Sequence, residues 1–187
     1  RSPLILHIPH DSTVIPPEWR KDILLDDKAL QHEILLMTDM HTDALYQVQD
    51  AKRIVFPVSR LLVDAERFSD DAQEAMAARG MGVIYTKTSD GKDLRRAPAA
   101  PQRKKLLDQY YHPHHAKLQQ TVEELRKTHG YVVIIDCHSF PEVALPYERQ
   151  PQGAVRPEIC IGTDPFHTPD WMAEAMLDYF VGQGYTV

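Results

Sequence analysis

Ten histidines in a chain of 187 residues are the first feature that can do chemistry, and their places matter more than their number. His7 and His10 end an apolar opening run, His138 follows the β-branched run Tyr131 to Asp136, and His112, His114 and His115 crowd around Pro113. Neutral imidazole is a common metal ligand, and a catalytic zinc takes three protein ligands and leaves one place for water. Two histidines and a carboxylate would complete such a set, whereas a lone histidine is more often a hydrogen-bonded surface residue. Asp136 and His138 are two apart, which in an extended strand puts both on one face. Asp136 then either orients a neighbouring ligand or caps the next turn. Arg60, Asp64, Glu66 and Arg67 form a second constellation. Its arginines suit bidentate binding of a carboxylate, although the run alone reads equally well as a structural ion-pair network.

The elements that must position these residues alternate along the chain. Pro3 to His10 reads as a strand delivering side chains to a loop, followed by a turn at Pro16-Pro17. From Asp26 to about Val48, the residues Leu30, Ile34, Met37, Leu45 and Val48 recur at helical spacing. They predict one long helix or two broken near Thr38, with Asp26 or Asp27 as N-cap. Lys52 to Pro57, Leu61 to Asp64 and Met81 to Thr88 read as strands, and the Ala-rich stretch Ser69 to Arg79 as a helix. Ser89 to Pro101, with its glycine, two prolines and many charges, reads as a mobile loop. Gln102 to Lys127 is a helix kinked or split at Pro113. Tyr131 to Asp136 is an unbroken apolar run of the kind buried on both faces, hence a parallel, central strand. Glu158 to Gly162 gives another strand, Pro169 to Phe180 a helix, and Gly184 to Val187 the opening of a last strand. Strands alternating with helices predict an α/β fold of three layers, an open, mostly parallel or mixed sheet with helices on both faces.

At 43% hydrophobic and 26% charged residues, the chain suits one globular domain over 1–187. The strand that opens at Gly184 and halts at Val187 suggests that a C-terminal portion is lacking. No run approaches the roughly 20 apolar residues of a membrane helix, and the N-terminal segment is unlike a signal peptide, so a cytoplasmic protein is expected. Cys137 and Cys160 form no disulfide framework and no Cys-x-x-Cys site, and both read as small buried hydrophobes. A net charge of −6 and no basic block longer than Arg103-Lys104-Lys105 argue against nucleic acid and for a small-molecule partner. Nothing in the composition sets an oligomeric state.

Six segments, in order, resemble the N-formylglutamate amidohydrolase family. They are Ile-Pro-His-Asp-Ser at 8–12, Thr-Asp-Met-His-Thr-Asp-Ala-Leu-Tyr at 38–46, Ser-Arg-Leu-Leu-Val-Asp-Ala-Glu-Arg-Phe at 59–68, Tyr-His-Pro-His-His-Ala-Lys-Leu at 111–118, Asp-Cys-His-Ser-Phe-Pro at 136–141 and Ile-Cys-Ile-Gly at 159–162. The family is similar in fold to zinc carboxypeptidases and aspartoacylase-like enzymes, which implies a phosphorylase/hydrolase-like sheet. It also implies Zn²⁺ or another divalent metal that polarises an amide carbonyl and acidifies water, and a place in histidine degradation.

By this resemblance His138 and His10 are metal ligands. The third expected ligand is Asp43, which matches the family's Thr-Asp motif and shares a helix face with Asp39 by i, i+4 spacing. Arg67 inherits substrate binding from an Asp-Leu-Asn-Arg run, with Arg60 beside it, while Asp64 and Asp136 support the ligands. Ala65 and Glu66 depart from that pattern, which argues against a direct contact of Glu66 with an anionic substrate. His115 is expected to contact substrate or the developing oxyanion. The general base is expected beyond Val187, with Glu142 as the nearer choice. The implied reaction is hydrolysis of an N-formyl- or N-acyl-amino acid. Its competitors are a zinc exopeptidase and an inactive carboxylate-binding domain of the same fold.

Overall fold

The computed structural model of the chain describes residues 2–148 and 155–187. Three strands, β1 (Leu4–Ile8), β2 (Lys52–Val55) and β3 (Val133–Asp136), form one parallel sheet in the order β2-β1-β3. The strand expected to be central, β3, pairs with β1 alone among the described residues and leaves Ile134 45% exposed. The central place belongs to β1, whose Ile5, Leu6 and Ile8 are sealed from solvent. An apolar run records that a strand is packed, and says little about how many strands flank it.

Helices α1 (Pro17–Arg20), α2 (Asp27–Met37), α3 (Thr42–Leu45), α4 (Ala100–Leu106), α5 (His112–His129) and α6 (Asp170–Gly182) complete the α/β architecture. On one face of the sheet, α5 lays Leu118, Val122 and Leu125 against Ile5 and Ile54. On the other, Leu6 and Ile8 pack with Ile135, Cys137 and Tyr46. Asp26 caps α2 by accepting from the Ala29 amide at 2.8 Å, and the helix stops at Thr38, the second of the two alternatives its sequence leaves open. Between α4 and α5 the helix continues through a π-helical turn, Leu107–Tyr111. Pro113 cannot donate to the carbonyl one turn back, and the wider turn just before it accommodates that loss without ending the helix.

Several expected elements differ. Residues 61–65 form turns in place of the expected strand, with Leu61, Leu62, Val63, Asp64 and Ala65 all buried in succession. Residues 81–88 form no strand either: the chain bends at 82–84, is buried over 81–85, and makes only an isolated antiparallel bridge from Lys87 to Asp93. In the stretch expected as a helix, only Ala75–Arg79 winds, as a 3₁₀ turn. There Asp70 and Glu74 side chains accept amides at Ala72 and Met76 and so compete with a helix. The loop after Thr88 is pinned rather than mobile: the buried Glu33 carboxylate accepts the Ser89 amide at 2.6 Å, and buried Arg95 donates to the Leu61 carbonyl at 2.6 Å.

The chain divides into two compact units, Arg1–Phe140 with Leu145–Tyr147, and Pro141–Ala144 with Glu148–Val187. The second contains α6. Its expected strands are not formed among the described residues, although the Ile159 amide donates to the Thr186 carbonyl at 3.0 Å. Cys160 lies here and is exposed, against expectation, while Cys137 is buried. Among the described residues no helix is long and apolar enough to cross a membrane.

Candidate metal centre

Parallel strands point their carboxyl ends the same way, so the loops leaving β1 and β3 meet at one edge of the sheet. His10 stands two residues past β1 and His138 two past β3, and their rings lie 5.4 Å apart. The turn over residues 59–67 brings Glu66 between them. Glu66 Oε1 is 3.2 Å from His138 Nε2, and Oε2 is 3.4 Å from His10 Nδ1. One ligand atom of each residue lies within 4.8 Å of the others. Two donors each about 2.1 Å from one ion stand at most about 4.2 Å apart, so a small closing movement suffices.

The tautomers are set from behind. His10 Nε2 is 2.8 Å from Asp64 Oδ1. Asp64 is fully buried, yet Arg60, His10 and Arg67 overcome the effect of burial and hold its carboxyl well below the usual range. Being ionised, Asp64 accepts the Nε2 proton, which leaves the His10 Nδ1 lone pair facing Glu66. That nitrogen is buried and has no hydrogen-bond partner. His138 repeats the arrangement, with Nδ1 2.7 Å from Asp39 Oδ2 and Nε2 toward Glu66. Burial would lower the His138 pKa, but hydrogen bonds to Asp136, Asp39 and Glu66 push it up to about 12. A position that draws a proton so strongly is equally suited to a metal cation, for which two imidazole lone pairs and a carboxylate are a fitting donor set.

Arg60 is committed to Asp64, with contacts at 3.0 and 3.3 Å from its guanidinium to Oδ2. The Tyr85 hydroxyl donates to the same oxygen at 2.7 Å. Arg67 differs: its Nε is buried without a hydrogen-bond partner, 3.8 Å from Asp64 Oδ2. It is thus the arginine with capacity left for an anion. His115 donates through Nε2–H to the Ala65 carbonyl, 2.9 Å away, and so steadies the turn that carries Glu66. The Tyr46 hydroxyl donates to the His138 carbonyl at 3.3 Å, and Ser139 donates to the Met40 carbonyl at 2.9 Å, tying the His138 loop to the α3 region.

Asp43 is not brought to this cluster. Its carboxylate pairs with Arg53, and its carbonyl accepts from the same guanidinium at 3.1 Å. The i, i+4 argument fails because α2 has already ended at Met37 and His41, at φ 66°, turns the chain before α3 begins. Glu66 stands where Asp43 was expected. Asp136 stands beside the cluster, with Oδ2 3.8 Å from His138 Nε2, while Asp39 holds the other nitrogen of that ring. The strand register sets His7 directly beside Asp136, and His7 Nδ1 lies 2.6 Å from Asp136 Oδ1. Glu142 is exposed and belongs to the second unit. His7 Nε2 continues to His114 Nε2 at 2.8 Å. Burial lowers the His114 pKa to about 3, so that ring is neutral. His112 is exposed on the helix surface.

The N-formylglutamate amidohydrolase family model matches residues 2–187. N-formylglutamate deformylase from Pseudomonas putida is 27% identical over 146 residues, which cover 75% of this chain and 52% of that protein. The enzyme of the same name from Pseudomonas aeruginosa is 28% identical over 146 residues, covering 75% and 53%. The chain thus spans about half the length of the curated relatives it matches. Among solved structures, N-formylglutamate amidohydrolase from Ralstonia eutropha JMP134 superposes with a TM-score of 0.83 at 21% identity, over 99% of this chain and 71% of that one. A gene product of Agrobacterium tumefaciens superposes with a TM-score of 0.68 at 21% identity, over 100% and 68%. These likenesses show the shared fold.

Proposed function

The chain belongs to the N-formylglutamate amidohydrolase family, and from that premise we propose that it hydrolyses the amide of an N-formyl- or N-acyl-amino acid, N-formylglutamate first among them, with a divalent metal on His10, Glu66 and His138. One observation carries the reading: a buried, unpartnered imidazole nitrogen and a second imidazole nitrogen converge on one carboxylate, each ring oriented from behind by another carboxylate. A divalent ion bound there supplies Lewis acidity and lowers the pKa of water. The protein's own part is orientation. Asp64 and Asp39 each hold one ring nitrogen and so aim the other at Glu66, and Arg60 with Tyr85 keeps Asp64 ionised inside the core. Arg67 holds a substrate carboxylate in its planar fork. His115 fixes the Glu66 turn. Both units fall within a single family match, which supports reading the chain as one amidohydrolase domain.

Elemental analysis of the purified chain, with turnover of N-formylglutamate and a series of N-acyl amino acids, tests the proposal. We expect one or more divalent ions per chain, lost in Glu66→Gln and His138→Ala. Metal without turnover of any N-acyl amino acid would leave a ligand-binding domain, and release of a C-terminal residue from peptides would favour an exopeptidase. Arg67→Lys keeps the charge and loses the fork. It should raise KM with a much smaller change in thermal stability, and an unchanged KM would make Arg67 structural.

A further inference from the structure

Behind the first ligand group lies a second that shares its carboxylate. Ligand atoms of His7, Glu66 and Asp136 lie within 4.8 Å of one another, as do those of His10, Glu66 and His138. We propose that the centre holds two divalent cations with Glu66 between them, the second on His7, Glu66 and Asp136. This rests on the reading of His10, Glu66 and His138 as a metal site and extends it.

The two groups repeat one construction. Each of three histidines is tied outward through one ring nitrogen: His10 to Asp64, His138 to Asp39 and His7 to His114. Each turns its other nitrogen toward the carboxylates of Glu66 and Asp136. With His7 Nε2–H donating to His114, the His7 Nδ1 lone pair faces Asp136 Oδ1 across 2.6 Å. Two carboxylates, Glu66 and Asp136, stand beside each other at this point, and like charges so placed repel unless a proton or a cation lies between them. Asp136 Oδ2 also comes within 3.8 Å of His138 Nε2, so the two groups are contiguous. The buried, unpartnered Nδ1 of His10 shows that hydrogen bonds within the cluster do not satisfy it. The competing account is a plain chain of hydrogen bonds, in which His7 donates to Asp136 and accepts from His114, with no second ion.

The donor sets differ in character. The first offers two imidazoles and a carboxylate, and the second one imidazole and two carboxylates. More carboxylate favours harder ions of the Mn²⁺ kind at the second position. Two ions sharing one carboxylate are typically about 3.5–4 Å apart, close enough for their electron spins to couple.

The test is titration of the metal-stripped full chain with Mn²⁺, reading bound metal by equilibrium dialysis and spin coupling by electron paramagnetic resonance. Two Mn²⁺ per chain with a coupled spectrum are expected, falling to one uncoupled Mn²⁺ in His7→Gln and in Asp136→Asn. Circular dichroism shows whether each variant is folded, and the unaltered chain's spectrum decides the matter if neither is. One uncoupled Mn²⁺ in the unaltered chain overturns the second site and leaves the first standing. No bound Mn²⁺ overturns both, and two in His7→Gln removes His7 from the ligand set.

Discussion

Asp64 shows how one buried carboxylate can carry both folding and chemistry. It accepts from Arg60, Tyr85, His10 and the Glu66 amide, and it has no exposure to water. Asp64→Asn leaves the buried Arg60 cation with Asp39, 3.8 Å away, as its remaining counter-charge, so the cost should approach about 3–5 kcal/mol, the typical cost of breaking a buried pair. The same substitution lets His10 adopt the other tautomer, so metal affinity should also fall by about 10–100-fold. Urea unfolding and metal titration read the two losses separately. Because its folded pKa is lowered, the stabilisation from ionised Asp64 is complete above the unfolded carboxylate value. It is lost only as pH falls through a folded value well below that. His138 has the opposite sign. Raised to about 12 without metal, its protonated form stabilises the metal-free chain fully below about pH 6.5, and that contribution fades as pH climbs toward the folded value. Metal must displace this proton, so affinity should rise about tenfold per pH unit between roughly pH 7 and 9. Calorimetry in buffers of different ionisation enthalpy should show about one proton released per bound ion, and pH-independent affinity would contradict the geometry.

At the level of elements, what the sequence revealed depended on whether the signal was local. β1, the capped start of α2 and the helix around Pro113 were legible, since apolar period, a capping Asp and a missing amide all act within a few residues. The meeting of His10 and His138 was legible for the same reason, each lying just past an apolar run. Glu66 was not, because the turn that carries it is specified by burial of five successive residues against distant parts of the core. A departure from the relatives' pattern at that position was its one signal. The register that sets His7 beside Asp136 is likewise a pairing of residues 129 apart. Asp43 was misplaced through His41, whose left-handed backbone at φ 66° no spacing rule anticipates. That turn positions Asp39 against His138 and can be tested directly. A β-branched side chain at positive φ meets its own backbone, so His41→Val should cost about 1–2 kcal/mol by urea denaturation, while His41→Gly should cost much less. Equal effects from the two would mean that the turn is not held by backbone conformation.

Across the molecule, the proposed ligands come from positions 10, 66 and 138, so one ion would join three segments far apart in the chain. All three lie in the first compact unit, as do the strands whose ends carry them. An ion that binds only the folded arrangement stabilises it by mass action, about 2.7 kcal/mol at a free concentration 100 times Kd. Amides that exchange only when this unit opens must then exchange up to about 100-fold more slowly, since opening releases the ion. Hydrogen exchange with and without saturating Zn²⁺ should therefore show strong added protection in Leu4–Ile8 and Val133–Asp136. The amides of Asp170–Gly182, in the second unit, serve as the internal reference and should change least. Glu66→Gln removes one arm of the joint and should abolish the difference. If β1 and β3 gain no protection while metal is demonstrably bound, the ion sits elsewhere, and the convergence of His10, Glu66 and His138 is a hydrogen-bond network of the fold alone.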